Sequence, residues 1–573
     1  MSSLLGRRSA AMTAVVSLLA SSGVAGAPRA SVAFDEMAYC ASLGAKRPNT
    51  PARALAAARI AQRLRAVGLT VSRETYTLPA FVQDVARVQV LAPRQEAIDA
   101  ELLSYSGSGT IEGEAVFVGE GGEQDYSGVD ARDKIVIVQR SQVLHRQAQM
   151  KQILAHGGKA MLYLSSAPDN LIQVGVIEDA IRPMPPIPAV SIGAEDGARL
   201  QAMLRHGPVR LALTAQAHLE NATGENVIGM RLGSIYPDHY VLVGGHYDSW
   251  YSGAVDNCSA VGALLQMAQA ASTVPLPYTT FFAAWDNEEV GLVGSYDWII
   301  RHQDLMARMA FIINLEMVSA AAHIGAQQYP ISAAGLYFVT NMPLLYQVLE
   351  TASLAHRKPM PIVPAETVRV LSGGLLPTDI QGFYTQGIHG LSTTTSTPYY
   401  HTPADTAYTV DPGALDRSTR ILTQTLQQLE QQPPQRFGRN GMPDVVITPR
   451  WGGDETPPFQ GYLLDVAVHD QEGGPIDDAD VTILADYQGY WPLFSNQAKP
   501  LGNGHYQMTW DMDAQGFNIC TMDPGAAQVT LMATAVGKGF MAEGFARLSP
   551  CKPKFPGANH GPGIAGLTPM PLR

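Results

Sequence analysis

The stretch VLVGGHYDSWYSGAVDN (residues 241–257) decides the fold. It opens as an apolar strand, runs into two glycines, and then presents His246 and Asp248. In an extended chain, positions i and i+2 face the same way, so this pair shares one side of the strand end. Downstream, CSAVGALLQMAQAAS (258–272) reads as a helix, TTFFAAWD (279–286) as a strand and FIINLEMV (311–318) as another. Apolar strands alternating with helices predict an α/β fold, a mostly parallel mixed sheet with helices on both faces. Ligands of such sheets bind beyond the carboxyl ends of the strands.

The polar residues gather at those ends. Asp256 precedes the helix at 258 and, on its own, reads more readily as an N-cap. Asp286, Asn287, Glu288 and Glu289 close the strand TTFFAAWD. Adjacent carboxylates repel unless a cation or strong donors compensate, although acids at a helix start also suit its dipole. Glu316 stands among apolar neighbours, where a lone carboxylate costs several kcal/mol unless it is paired, protonated or metal-bound. His401 lies in a Pro/Thr loop, STPYYHTPADT, where a single histidine is ordinarily surface decoration. Taken together, two imidazoles and three carboxylates make a suitable shell for two zinc ions.

The segments GGHYDSW…GAVDN, FAAWDNEEVGLVGS, INLEM and PYYHTPADT resemble, in content and order, those of the M28 metallopeptidases, which include zinc aminopeptidases and glutamate carboxypeptidase-like proteins. The resemblance runs over about residues 38–432 and implies a zinc exopeptidase-like fold. It implies His246, Asp256, Glu289, Glu316 and His401 as the metal shell for two zinc ions, with Asp256 bridging them. Two metals sharing a water lower its pKa and polarise a carbonyl. Glu288 becomes the general base, Asp248 the residue orienting the site, and Tyr400 either an oxyanion donor or an aromatic wall. Glu316 departs from the family's usual Asp, with a methylene of extra reach. Asp379 falls where relatives carry a polar pair near the pocket.

The implied reaction is removal of N-terminal residues from peptides. A carboxypeptidase or dipeptidase on the same scaffold is the alternative, as are a non-catalytic receptor-like relative and a glutaminyl cyclase. Between 371 and 401 there is neither Arg nor Lys, so a carboxypeptidase needs its cation from elsewhere, such as the inserted domain.

The domain plan follows. Residues 1–27 read as a signal peptide, with Arg7–Arg8, a short apolar run and AGA at 25–27. The expected location is therefore secreted or periplasmic, with an arginine pair that suits a twin-arginine exporter or an ordinary signal. The catalytic unit is 28–89 with 216–432. The insert, 90–215, is β-rich and resembles a protease-associated (PA) domain. Residues 433–454 read as a linker and 455–573 as a C-terminal β-sandwich-like domain. With 46% hydrophobic and 16% charged residues, a disordered chain is excluded. A net charge of −12 without a basic stripe speaks against nucleic-acid or anionic-membrane partners, and no run is long enough for a stable membrane span. Four cysteines without CxxC spacing suit export, with Cys520 and Cys551 candidates to pair.

Overall fold

The computed structural model describes residues 31–548, apart from 142–143, 181, 321, 325–326, 330–335, 341, 359–360, 372–375, 438–442, 452–460, 471–472, 488–490, 512–528 and 538–539. The signal peptide and the Cys520–Cys551 pairing lie outside the described residues.

Four parallel strands form the heart of a mixed sheet: Gly390–Thr394, Met309–Asn314, Tyr236–His246 and Tyr278–Trp285, in that spatial order. Their carboxyl ends share one edge, and all the expected ligands lie at or just beyond it. Helices cover both faces, as anticipated. On one face Val32–Ser42, Pro51–Ala66, Ser259–Ser272 and Pro412–Glu430 share a single apolar cluster with the strands. On the other, Trp285, Trp298, Phe383 and Ile312 make a second core.

Glycine does specific work in the central strand. A Cβ on Gly245 would lie 2.6 Å from the Leu315 carbonyl oxygen, so a larger residue would push the neighbouring strand away. In the stretch 50–71, apolar residues at Leu55, Ile60, Leu64 and Val67 followed by Gly68 predict a helix, and one runs over Pro51–Ala66 with Thr50 as its N-cap. Its buried face is Ala56, Ala57, Ile60, Ala61 and Leu64, while Leu55 is 52% exposed. The periodicity of the large apolar residues therefore misplaced one edge of the stripe, because alanines carry most of the contact.

Two long antiparallel strands, Thr70–Ala92 and Arg210–Arg231, lead out of the central sheet and back. The expected boundaries at 89/90 and 215/216 fall inside this continuous ribbon. At its far end, strands Gly109–Phe117, Ile135–Gln139, Ala160–Leu164 and Ala189–Ile192 pair in parallel, flanked by helices Arg146–Ala155 and Ala194–His206. The insert is thus as much α/β as β-rich. The C-terminal region forms two four-stranded antiparallel sheets. Asp444–Trp451, within the stretch expected as a linker, pairs with Gly461–His469 and belongs to that unit. No helix among the described residues is long and apolar enough to cross a membrane.

Candidate metal centre

His246 ends its strand, and its Nδ1 faces the Asp248 backbone oxygen at 3.2 Å and its Oδ1 at 3.4 Å. Those acceptors hold the proton on Nδ1 and leave Nε2 with a lone pair. Nε2 points at carboxylates: Asp256 Oδ1 and Glu316 Oε1, each at 3.4 Å, and Glu288 Oε2 at 3.8 Å. His401 repeats the arrangement. Its Nδ1 bonds to the Val174 carbonyl at 3.0 Å, while Nε2 lies 3.1 Å from Asp256 Oδ2 and 2.9 Å from Glu289 Oε2. Asp256 therefore offers one oxygen to each imidazole.

Asp256 does not cap a helix. The helix begins at Ser259, and Asp256 sits in the preceding turn with φ −114° and ψ 90°. That turn is tied down by Asp405, whose two oxygens accept from the backbone N–H groups of Val255 and Asp256 at 2.9 and 3.1 Å. Gly253 opens it with φ +58°, where a Cβ would lie 2.3 Å from the Asp256 carbonyl oxygen. A disulfide joins Cys258 at its end to Cys40 of the first helix.

Asp248 acts on the acidic pair as well. Its carboxylate accepts from the N–H of Glu288 at 3.1 Å and of Glu289 at 3.2 Å, fixing the turn that carries both. Trp250 donates its indole N–H to Glu289 Oε2 at 2.7 Å. Glu316 lies two residues past the strand end at Asn314, 7% exposed, so it is not within the strand as its apolar neighbours suggest. Its backbone exchanges two 2.8 Å hydrogen bonds with the Thr393 hydroxyl, and its Oε2 accepts from the Thr378 hydroxyl at 2.8 Å.

Two groups of donor atoms result: His246, Glu288 and Glu316, and Asp256, Glu289 and His401, each with all atoms within 4.8 Å of one another. Their electrostatics are unbalanced. Burial pushes Glu289 up to about 7, offset by His401 and reinforced by Asp256. Burial likewise raises Glu288, with His246 opposing and Glu316 and Asp379 adding to it. Asp379, left without a role by the sequence, is also pushed to about 7 by burial and lies in the same acidic field. His401 Nε2 and Glu289 Oε1 are buried with no hydrogen-bond partner among the described residues. Buried imine nitrogens facing carboxylates, with orphaned acceptors beside them, are what a divalent cation satisfies, and N/O donors of this kind suit zinc.

A cleft of about 780 Å³ opens onto the centre, lined by Glu288, Glu316, Tyr400 and His401. Tyr400 stacks on His401, ring centroids 3.7 Å apart, and the Arg140 guanidinium lies 4.8 Å from the Tyr400 ring centroid. Burial holds the Tyr400 hydroxyl well above its usual pKa, so it stays a donor. The eight residues expected from the sequence, His246, Asp248, Asp256, Glu288, Glu289, Glu316, Tyr400 and His401, thus meet in one place.

Several contributors were not anticipated. Asp405, four residues after His401, was legible as the one acid in the same loop. Thr378 carried no signal. Arg140 and Arg146 line the cleft from the insert, about a hundred positions upstream of His246, and no local pattern announces them.

Residues 226–426 match the model of peptidase family M28. They form a domain of that family. The M28 domain and its surroundings are 26% identical over 359 residues to a Zea mays protein described as "Probable glutamate carboxypeptidase VP8", covering 50% of this chain and 50% of that one. The chain thus spans only half the length of that relative. Aminopeptidase YwaD of Bacillus subtilis is 25% identical over 407 residues, covering 67% of this chain and 80% of its own. Among solved structures, a zinc aminopeptidase from Bacillus subtilis superposes with a TM-score of 0.54 at 21% identity, over 70% of this chain and 96% of that one. An M28 peptidase precursor from Shewanella amazonensis gives 0.57 at 19%, over 70% and 93%. At such identities the two structures speak for the M28 fold alone.

Proposed function

We propose that this chain is an exported zinc exopeptidase holding two ions. His246, Asp256 and Glu316 would hold one, and Asp256, Glu289 and His401 the other. The observation that carries the reading is Asp256, which turns one oxygen to each of two imidazoles whose other nitrogens are already committed. When bound, the metals supply Lewis acidity and a water of lowered pKa. The protein's own residues do the rest. Glu288, on the cleft wall and 3.8 Å from His246 Nε2, takes a proton from the attacking water and returns it to the leaving amine. Asp248 keeps His246 and the Glu288–Glu289 turn in register. Tyr400 donates to the oxygen that gains charge as the peptide carbonyl is attacked. Export is supported by the Cys40–Cys258 disulfide, a bond that persists in oxidising compartments. The insert at 90–215 we read as a PA domain.

Aminopeptidase is the first reading, supported by the extent of the match to YwaD. Arg140 and Arg146 favour a second. Both line the cleft, Arg146 is 8% exposed, and its Nε has no hydrogen-bond partner among the described residues. A guanidinium so placed suits a substrate carboxylate, as a carboxypeptidase requires. Two substrates separate the readings: an aminoacyl-nitroanilide, with a free amine only, and an N-acyl dipeptide, with a free carboxylate only. Chelator-sensitive hydrolysis of the first supports an aminopeptidase, and of the second alone a carboxypeptidase. Hydrolysis of neither by zinc-loaded protein rejects both.

A further inference from the structure

The C-terminal sandwich is keyed into the catalytic unit. Leu484, Met532 and Phe545 lie in the same apolar cluster as Trp285, Trp298 and Phe383. In the other direction, Tyr296 of the helix Val293–Arg301 enters the sandwich's own core. Contact of this kind is enough to dock a domain and needs no charge.

Yet the strand Phe540–Leu548 sends a carboxylate into the joint. Glu543 is 4% exposed and accepts a 2.6 Å hydrogen bond from the Tyr384 hydroxyl. The same hydroxyl lies 3.3 Å from Glu366 Oε2, and Glu366 holds the buried Arg369 guanidinium through both of its oxygens. Burying such a cluster carries a desolvation cost that apolar docking avoids, so its geometry is informative.

The cluster grips the wall of the substrate cleft. Glu366 and Arg369 belong to the helix Ala365–Leu371, and Tyr384 to the helix Ile380–Tyr384. Between these helices, Leu376, Pro377 and Thr378 line the cleft, as does Val368. Thr378 is also the donor to Glu316 Oε2. There is a second contact: Leu292, three residues after Glu289, also lines the cleft and packs against the sandwich core.

We propose that the C-terminal domain is a clamp on the substrate cleft, with Glu543 as a positioning residue. Through Tyr384, Glu366 and Arg369 it holds the wall at 376–378. The effect on catalysis rests on the zinc exopeptidase reading, whereas the clamp itself does not.

The test uses the full chain with Glu543→Ala, Glu543→Gln, Tyr384→Phe and the Ala/Phe double variant. Backbone hydrogen exchange is compared between 376–384 and the central strand 241–246, and KM is separated from kcat on a peptide substrate. Glu543→Ala and Tyr384→Phe should each speed exchange at 376–384 about tenfold and raise KM about tenfold, with 241–246 and kcat nearly unchanged. Glu543→Gln keeps an acceptor for Tyr384 and should stay close to wild type. The double variant should fall well short of the sum of the singles, because both remove the Tyr384–Glu543 bond. Unchanged exchange at 376–384, or a rise that spreads equally to 241–246, would overturn the clamp. A wild-type chain that hydrolyses nothing with zinc sinks the exopeptidase reading, and the exchange comparison still decides the clamp.

Discussion

Glu316 accepts from Thr378 at one oxygen and faces His246 Nε2 at 3.4 Å with the other, so a cation on the His246 side would complete the pairing of its buried carboxylate. Glu316→Ala should therefore lose one of two zinc ions per chain, measured by elemental analysis, whereas Glu316→Asp should keep both. Glu288→Gln should retain both and lower kcat by about 10²–10⁴-fold, the range for a general acid–base group. A drop in metal content there would mean that Glu288 is a ligand, as its place in the first donor group also allows. Away from the site, Glu430 accepts from the Thr280 hydroxyl at 2.6 Å, and burial pushes it up to about 7 against that bond and Arg231. Its folded pKa lies above the unfolded value near 4.5, so folding favours its protonated form. Its contribution is complete below about pH 4.5 and is lost as pH rises through 7. The melting temperature of Glu430→Gln should thus gain on wild type between pH 5 and pH 8, by the equivalent of at most about 3 kcal/mol.

The turn at 253–258 is the element on which the centre depends most. Asp405, Gly253 and the Cys40–Cys258 disulfide converge on it. Because the disulfide spans 218 residues, replacing both cysteines by serine should cost about 2–5 kcal/mol, read as a lowered denaturation midpoint. Much of this level is visible in the sequence. Strand ends carrying His246, Glu288–Glu289 and Glu316 are readable because apolar runs, period-two facing and parallel order are local patterns. What escapes is tertiary. Asp256 resembles an N-cap until the helix is seen to start at Ser259. The Cys40–Cys258 pair joins segments that no spacing rule connects. Leu55 was misassigned because small alanines, not large apolar residues, make the contact of its helix.

At the scale of the molecule, three units share one site. The central sheet brings the donor groups of the candidate metal centre, and the insert fixes His401 through Val174 and supplies Arg140 and Arg146. The C-terminal sandwich reaches the segment that carries the lining residues 376–378 through Glu543 and Tyr384. None of this sharing is legible from domain boundaries, since side chains from distant segments meet only after packing. The claim on which the rest depends is the pair of zinc ions around Asp256. It is tested most directly by titrating metal-free, full-length protein with zinc while following hydrolysis of whichever peptide substrate the wild-type chain accepts. The expected result is activity that rises with zinc, saturates at two equivalents per chain and vanishes on chelation. Hydrolysis without metal, or saturation of binding below two equivalents, would contradict it.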